Sequence, residues 1–140
     1  MRWSDGASTA LAQRLRRLSH ALVCDAAAGD ALALRVIDEL PSRPTLRQAY
    51  RVLIRHCRAQ DVRQRLGSPP SRDVVGAFAM LPLPNREALA LVCIDDLPYQ
   101  EAADIVDMSL ERFLLLLTQS RELLAGRLEA QRPVVLRLVK

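Results

Sequence analysis

Leucines at positions 11, 15, 18 and 22 recur every three or four residues, the spacing of one helix face, and predict an amphipathic helix over residues 7–23. Residues 25–29 read as a turn, and a second helix follows over about 30–40, stopped by the Pro-Ser-Arg-Pro run at 41–44. Thr45 is placed to cap a third helix reaching about residue 66, whose apolar series Leu46, Ala49, Leu53 and Cys57 keeps the helical period. Gly67-Ser68-Pro69-Pro70-Ser71 then breaks the pattern, because two adjacent prolines do not fit inside a helix; 67–71 is the predicted linker.

The pattern resumes with a short helix over about 72–80 and another from Pro84, which suits a first helical turn, to about Ile94. Pro98 starts a further short helix through Glu-Ala-Ala-Asp-Ile-Val, Met108-Ser109 makes a turn, and Ser109 caps a long leucine-rich helix whose first turn holds Glu111. Short helices, a tight turn and a longer helix form a helix-turn-helix. In the long helix Phe113, Leu117, Ser120 and Leu124 make one buried stripe, while the unbroken run Leu114, Leu115, Leu116 sweeps outside it, since successive residues step by about 100°. The expected architecture is all-α, in two small helical domains: residues 1–66, the linker, residues 72–130, and a tail over 131–140. Within that tail PVVLRLV, residues 133–139, is the single candidate strand, and it alternates poorly.

Half of the 140 residues are hydrophobic, enough for a buried core, and no apolar run approaches the roughly 20 residues of a membrane span. With no leader-like segment, the expected compartment is the cytoplasm. Cys24, Cys57 and Cys93 are widely spaced in apolar helical surroundings and read as small buried thiols. His20 and His56 read as half-buried helix residues. No nucleophile triad, paired carboxylates or phosphate loop points to an enzyme, and no metal or other cofactor is expected. The net charge of +4 is unevenly distributed. Residues 1–67 carry twelve arginines against six acids, a net +6, and residues 68–140 carry eight cations against ten acids, a net −2.

Leu81-Pro82, Arg86-Glu87-Ala88-Leu89, Leu97, Tyr99, Glu101-Ala102-Ala103, Ile105 and Val106 fall in the order seen in region 4 of the extracytoplasmic-function (ECF) sigma factors, which this segment resembles. A weaker likeness to sigma region 2 covers Arg16-Arg17-Leu18-Ser19-His20-Ala21-Leu22 and the stretch from Ala49 to Leu66, with Asp61 and Arg65 at matching places. The resemblance implies a transcription regulator with two sigma-like parts. The acidic, aromatic-rich piece with which such sigma factors hold core polymerase and melt promoters is reduced here to ALALRVIDEL, and Tyr50 is the only aromatic between residues 7 and 66.

The departures bear on function. Where the family places Lys, Ser and Arg on the DNA-reading helix, this chain has Leu114, Leu115 and Leu116, which offer phosphates neither charge nor hydrogen bonds. From Glu87 to Glu111 the acids Asp95, Asp96, Glu101, Asp104 and Asp107 occur with no Lys or Arg between them, so promoter DNA binding is expected to be weak or absent. Three exposed leucines make an apolar patch of the size that marks protein contacts, with roughly 5–8 kcal/mol of burial in a partner before association costs. The expected partner-facing set is Arg112, Leu114, Leu115, Leu116 and Thr118, and Arg47, Arg51, Arg55 and Arg58 form a second surface for polymerase or a partner. An alternative is that the leucines pack within the chain.

A sigma-like scaffold of this kind resembles the sigma-like domain of PhyR-type general stress response regulators. That resemblance implies a sigma mimic that binds a helical anti-sigma protein by partner switching. The competing expectation is a divergent active ECF sigma factor that binds core RNA polymerase through its arginine-rich half and then promoter DNA.

Overall fold

The computed structural model of the chain describes residues 6–59 and 72–130, all of them in helices or the turns between them. The linker at 67–71, Asp61, Arg65 and the candidate strand at 133–139 lie outside the described residues. The first half holds α1 (Gly6–Val23), α2 (Ala26–Glu39) and α3 (Leu46–Ala59). The second holds α4 (Val74–Ala79), α5 (Leu83–Leu89), which runs on into a π-helical turn (Ala90–Ile94), then α6 (Tyr99–Ile105) and α7 (Leu110–Ala130).

The helix between residues 26 and 39 begins earlier than the sequence pattern suggested. Asp25 is not part of a five-residue turn but the N-cap, its carboxylate accepting from the Ala28 N–H at 2.7 Å, and the reversal is compressed into Cys24, whose φ is 62°. Gly29 makes this compression possible. It is buried against His20 of α1, and a Cβ there would lie 2.9 Å from the His20 backbone N and Cα. Thr45 forms a reciprocal cap with Gln48: the Gln48 N–H donates to the threonine hydroxyl at 3.1 Å, and the Thr45 N–H donates to the Gln48 side-chain carbonyl at 2.9 Å.

The predicted helix over 84–94 also differs in its last turn. The Asp95 N–H donates to the Ala90 carbonyl at 2.9 Å, a five-residue closure, and Asp96 follows with φ 57°. The wider turn leaves the Asp95 side chain wholly buried, facing α1. At the end of α6, Asp107 takes left-handed geometry (φ 62°), while the Asp107 and Met108 N–H groups donate to the Asp104 and Ala103 carbonyls at 3.2 and 2.9 Å. This is a Schellman closure, made with aspartate at the position where glycine is commonest.

One hydrophobic cluster runs through both halves, from Leu15, Leu18 and Leu22 of α1 and Tyr50 and Leu53 of α3 to Leu91, Ala102, Phe113 and Leu117. Two polar residues are locked into the second half. Arg86, fully buried, donates to the Leu81 carbonyl at 2.8 Å, tying α5 to the segment after α4. Asn85 donates to the Ser120 hydroxyl at 2.9 Å, which in turn donates to the Leu116 carbonyl at 2.7 Å, so the serine of the α7 stripe is buried with its hydrogen bonds satisfied. Of the cysteines only Cys57 is buried; Cys24 is partly covered and Cys93 is exposed, because it lies on the outer side of the π-helical turn. No described helix is long and apolar enough to cross a membrane.

Candidate functional site

On α7 the helical stripe is as the pattern requires: Phe113, Leu117 and Ser120 are buried and Leu124 partly so. The three leucines outside it are not equivalent. Leu115 points away from the core and is 68% exposed. Leu114 and Leu116 are half-buried, and Leu116 packs against the core cluster. The reason is angular. Each lies about 100° from Leu115, on the shoulders of the Phe113–Leu117 stripe. The continuous three-leucine patch is therefore narrowed to a ridge centred on Leu115, whose burial in a partner is worth about 1.5–3 kcal/mol.

Around the ridge lie exposed Glu111, Arg112, Thr118, Gln119 and Glu122. The Arg112 N–H donates to the Ser109 hydroxyl at 3.3 Å, leaving its guanidinium on the surface, and the Thr118 hydroxyl donates back to the Leu114 carbonyl at 3.0 Å. Beside them a shallow groove of about 420 Å³ is lined by Asn85, Leu116, Gln119, Glu122 and the exposed Leu123. The groove brings an apolar edge next to a carboxylate and two amides.

The α3 arginines are placed differently from a free surface. Arg47 donates to the Asp104 carboxylate at 3.1 Å, Arg51 to the Asp104 carbonyl at 2.7 Å, and Arg58 through two nitrogens to Glu87 at 3.1 and 3.2 Å. Arg55 reaches Glu39 of α2 at 3.6 Å and is 71% exposed. From α1, Arg14 and Arg17 meet the buried Asp95 at 2.7 and 3.5 Å, and Arg14 also lies over the Tyr50 ring, 5.9 Å from its centre. Burial, aided by the neighbouring Asp95 carboxylate, pushes the Tyr50 phenol well above its ordinary range.

The arginine excess of one half thus faces the acid excess of the other. Asp95, Asp104 and Glu87, which in sequence form part of an acidic stretch, are neutralised across the junction, while Asp96 and Asp107 remain exposed. Sequence reasoning singled out Arg47, Arg51 and Arg58 but not Arg14 or Arg17. The opposite net charges of the two halves carried the signal, and the facing acids were not identified from it.

No protein-family model matches the chain, and no curated protein matches it. Solved structures do. A chain from the co-crystal structure of the sigma factor RpoE in complex with the anti-sigma factor NepR from Bartonella quintana aligns with a TM-score of 0.68 at 18% identity, covering 89% of this chain and 95% of that one. A chain from the co-crystal structure of the anti-anti-sigma factor PhyR complexed with NepR, from the same organism, aligns with a TM-score of 0.60 at 20% identity, over 83% of this chain and 49% of that one, so this chain spans about half its length. The helices, their order and their packing are those of a sigma-factor fold.

Proposed function

We propose that this protein is a sigma-like transcription regulator that binds a helical anti-sigma protein, with the outer face of α7 as the contact, and that it is a mimic which does not itself read promoter DNA. The observation that carries this is Leu115, a large apolar side chain standing open in the second turn of the helix that would enter the major groove. Arg112, Leu114, Leu116 and Thr118 surround it and complete the contact. Among the described residues of α7, Arg112, Arg121 and Arg127 are balanced by Glu111, Glu122 and Glu129, so the helix has no net positive charge with which to release phosphate counterions. The fold likeness to chains crystallised with an anti-sigma factor supports the choice of partner class.

The test is titration of the purified chain with an anti-sigma protein of the NepR kind and, separately, with a promoter duplex. Leu115→Lys is expected to weaken the protein complex by about tenfold or more, since it places a charge in an apolar contact. The duplex is expected to show no sequence-dependent binding. Retained protein binding by the lysine variant, or tight promoter binding by the unmodified chain, contradicts the reading. A second reading, an active ECF sigma factor that binds core RNA polymerase and promoter DNA, is favoured by one observation: the chain spans nearly all of the RpoE-complex chain that it matches. Promoter-dependent transcription with core polymerase added is its distinguishing result.

A further inference from the structure

Along the outer face of α7, Glu111, Leu115 and Glu122 fall within about 40° of one another, because steps of four and seven residues return a helix almost to the same side. All three are exposed. The two carboxylates are three turns apart, roughly 16 Å, with the leucine between them. Neither has a Lys or Arg three or four positions away along the helix, the spacing at which surface acids are ordinarily paired. Among the described residues neither forms an ion pair. This sets them apart from Glu39, Glu87, Asp95 and Asp104, whose charges are met by arginine or histidine within the chain.

Glu122 also stands at the rim of the shallow groove beside Leu116, Gln119 and Leu123. Leu123 is 45% exposed there, so the apolar surface begun by Leu115 continues past it. The strip as a whole has an apolar middle and an unpaired negative charge towards each end. An amphipathic helix laid along it meets these features with cations about eleven residues apart and aliphatic side chains between them. Arg112, about 100° round the helix from Glu111, lies on the opposite edge of the strip and meets the other edge of such a helix.

We infer that the outer face of α7 selects a partner helix with a basic edge, Glu111 and Glu122 fixing its register and Leu115 and Leu123 supplying the apolar anchors. This rests on the reading of that face as the protein contact and adds the chemistry of what docks there. Both charge pairs would lie at the rim, so they choose the partner more than they hold it, and Leu115 carries the affinity. The same two carboxylates repel the phosphates of a nucleic acid. They also disfavour a second copy of this face: two-fold antiparallel pairing centred between the acids sets Glu111 against the partner's Glu122, like charge on like.

The experiment uses the full chain and a fluorescently labelled synthetic helix of Leu and Ala with two lysines about eleven residues apart. Controls are the same helix with Glu for Lys and a DNA duplex. The lysine helix is expected to bind, and to bind more weakly as salt is raised. Glu111→Gln with Glu122→Gln is expected to weaken it about threefold to tenfold, and Glu111→Lys with Glu122→Lys to turn the preference towards the glutamate helix. Circular dichroism of each variant establishes that it is folded. The inference is overturned if the lysine helix fails to bind, if the glutamate helix or the duplex binds the unmodified chain as tightly, or if the glutamine variant binds the lysine helix unchanged. It is equally overturned if the charge reversal leaves the preference as it was, or if sedimentation shows the free chain dimerising in a way that Leu115→Lys abolishes. An anti-sigma protein of the NepR kind whose binding falls with Leu115→Lys but not with the glutamine variant overturns this inference alone. One that binds the Leu115→Lys chain undiminished overturns the reading of the α7 face on which it rests.

Discussion

Gly29 shows how much one atom decides. Its position on α2 is buried against the backbone of α1, and the neighbouring His20 atoms leave no room for a methyl group. A side chain that is merely long can swing aside, but a backbone at 2.9 Å cannot move without shifting the whole helix. Gly29→Ala is therefore expected to destabilise the protein by about 1–3 kcal/mol, despite alanine's better helix propensity, because overpacking outweighs a gain of about 1 kcal/mol. Chemical denaturation followed by circular dichroism measures it; an unchanged or raised midpoint would mean that α1 and α2 can separate freely. From sequence this glycine looked like part of a turn, since a close helix approach leaves no mark on the local pattern.

Between elements, the polar contacts are as specific as the apolar ones. α1 and α2 are joined by Arg16 and His20, both bonded to Asp30, and the Arg16 guanidinium, then the His20 ring, hold the Asp30 carboxyl below its ordinary value of 3.8. α2 and α3 are joined by Glu39, whose carboxyl is lowered from 4.5 by His56 first and by Arg55 to a smaller degree. A carboxyl with a depressed folded pKa contributes stability that is fully present above its unfolded value and is lost as the pH falls through the folded one. The thermal midpoint is accordingly expected to hold from neutral pH to about the ordinary carboxylate range and to fall below it. Asp30→Asn should flatten part of that acid-side fall and leave the neutral-to-alkaline side unchanged, as a melting series across pH would show. An identical acid profile in the variant would mean that Asp30 is not coupled to folding. These ion pairs were not legible beforehand, because Arg16 and Asp30 become neighbours only once α2 folds back on α1.

Over the whole molecule, the halves are joined by a core that crosses from α1 and α3 into the π-helical turn and α6, with an arginine-to-acid junction around it. The contacts of that junction are not equal. Asp95 is fully removed from water, so Asp95→Asn leaves Arg14 and Arg17 without their buried counter-charge and is expected to cost about 1–3 kcal/mol. Asp104 sits in a partly exposed pair, and Asp104→Asn is expected to cost less than about 1 kcal/mol. Denaturation midpoints of the two variants at low and high salt test the ranking. Equal losses would place Asp95 in the same solvent-screened class as Asp104, and the larger role of burial at the π-helical turn would then be lost.

Helical periodicity was enough to establish an all-α chain, the stripe Phe113, Leu117, Ser120, Leu124, the caps at Thr45 and Ser109, and the run of leucines outside the stripe, because each of these depends on residues within a turn or two of one another. The motif around Arg86 and Glu87 pointed to a sigma-like fold, although the structure gives these residues mainly architectural tasks, Arg86 holding a backbone carbonyl and Glu87 receiving Arg58. Only the tertiary structure decided that Leu115 alone stands clear while Leu114 and Leu116 are half-covered, and that the arginines of α1 and α3 face the acids of the second half. Exposure and charge pairing depend on which helices meet, and residues such as Arg14 and Asp95, 81 positions apart along the chain, become partners through a wide π-helical turn that no local pattern announces.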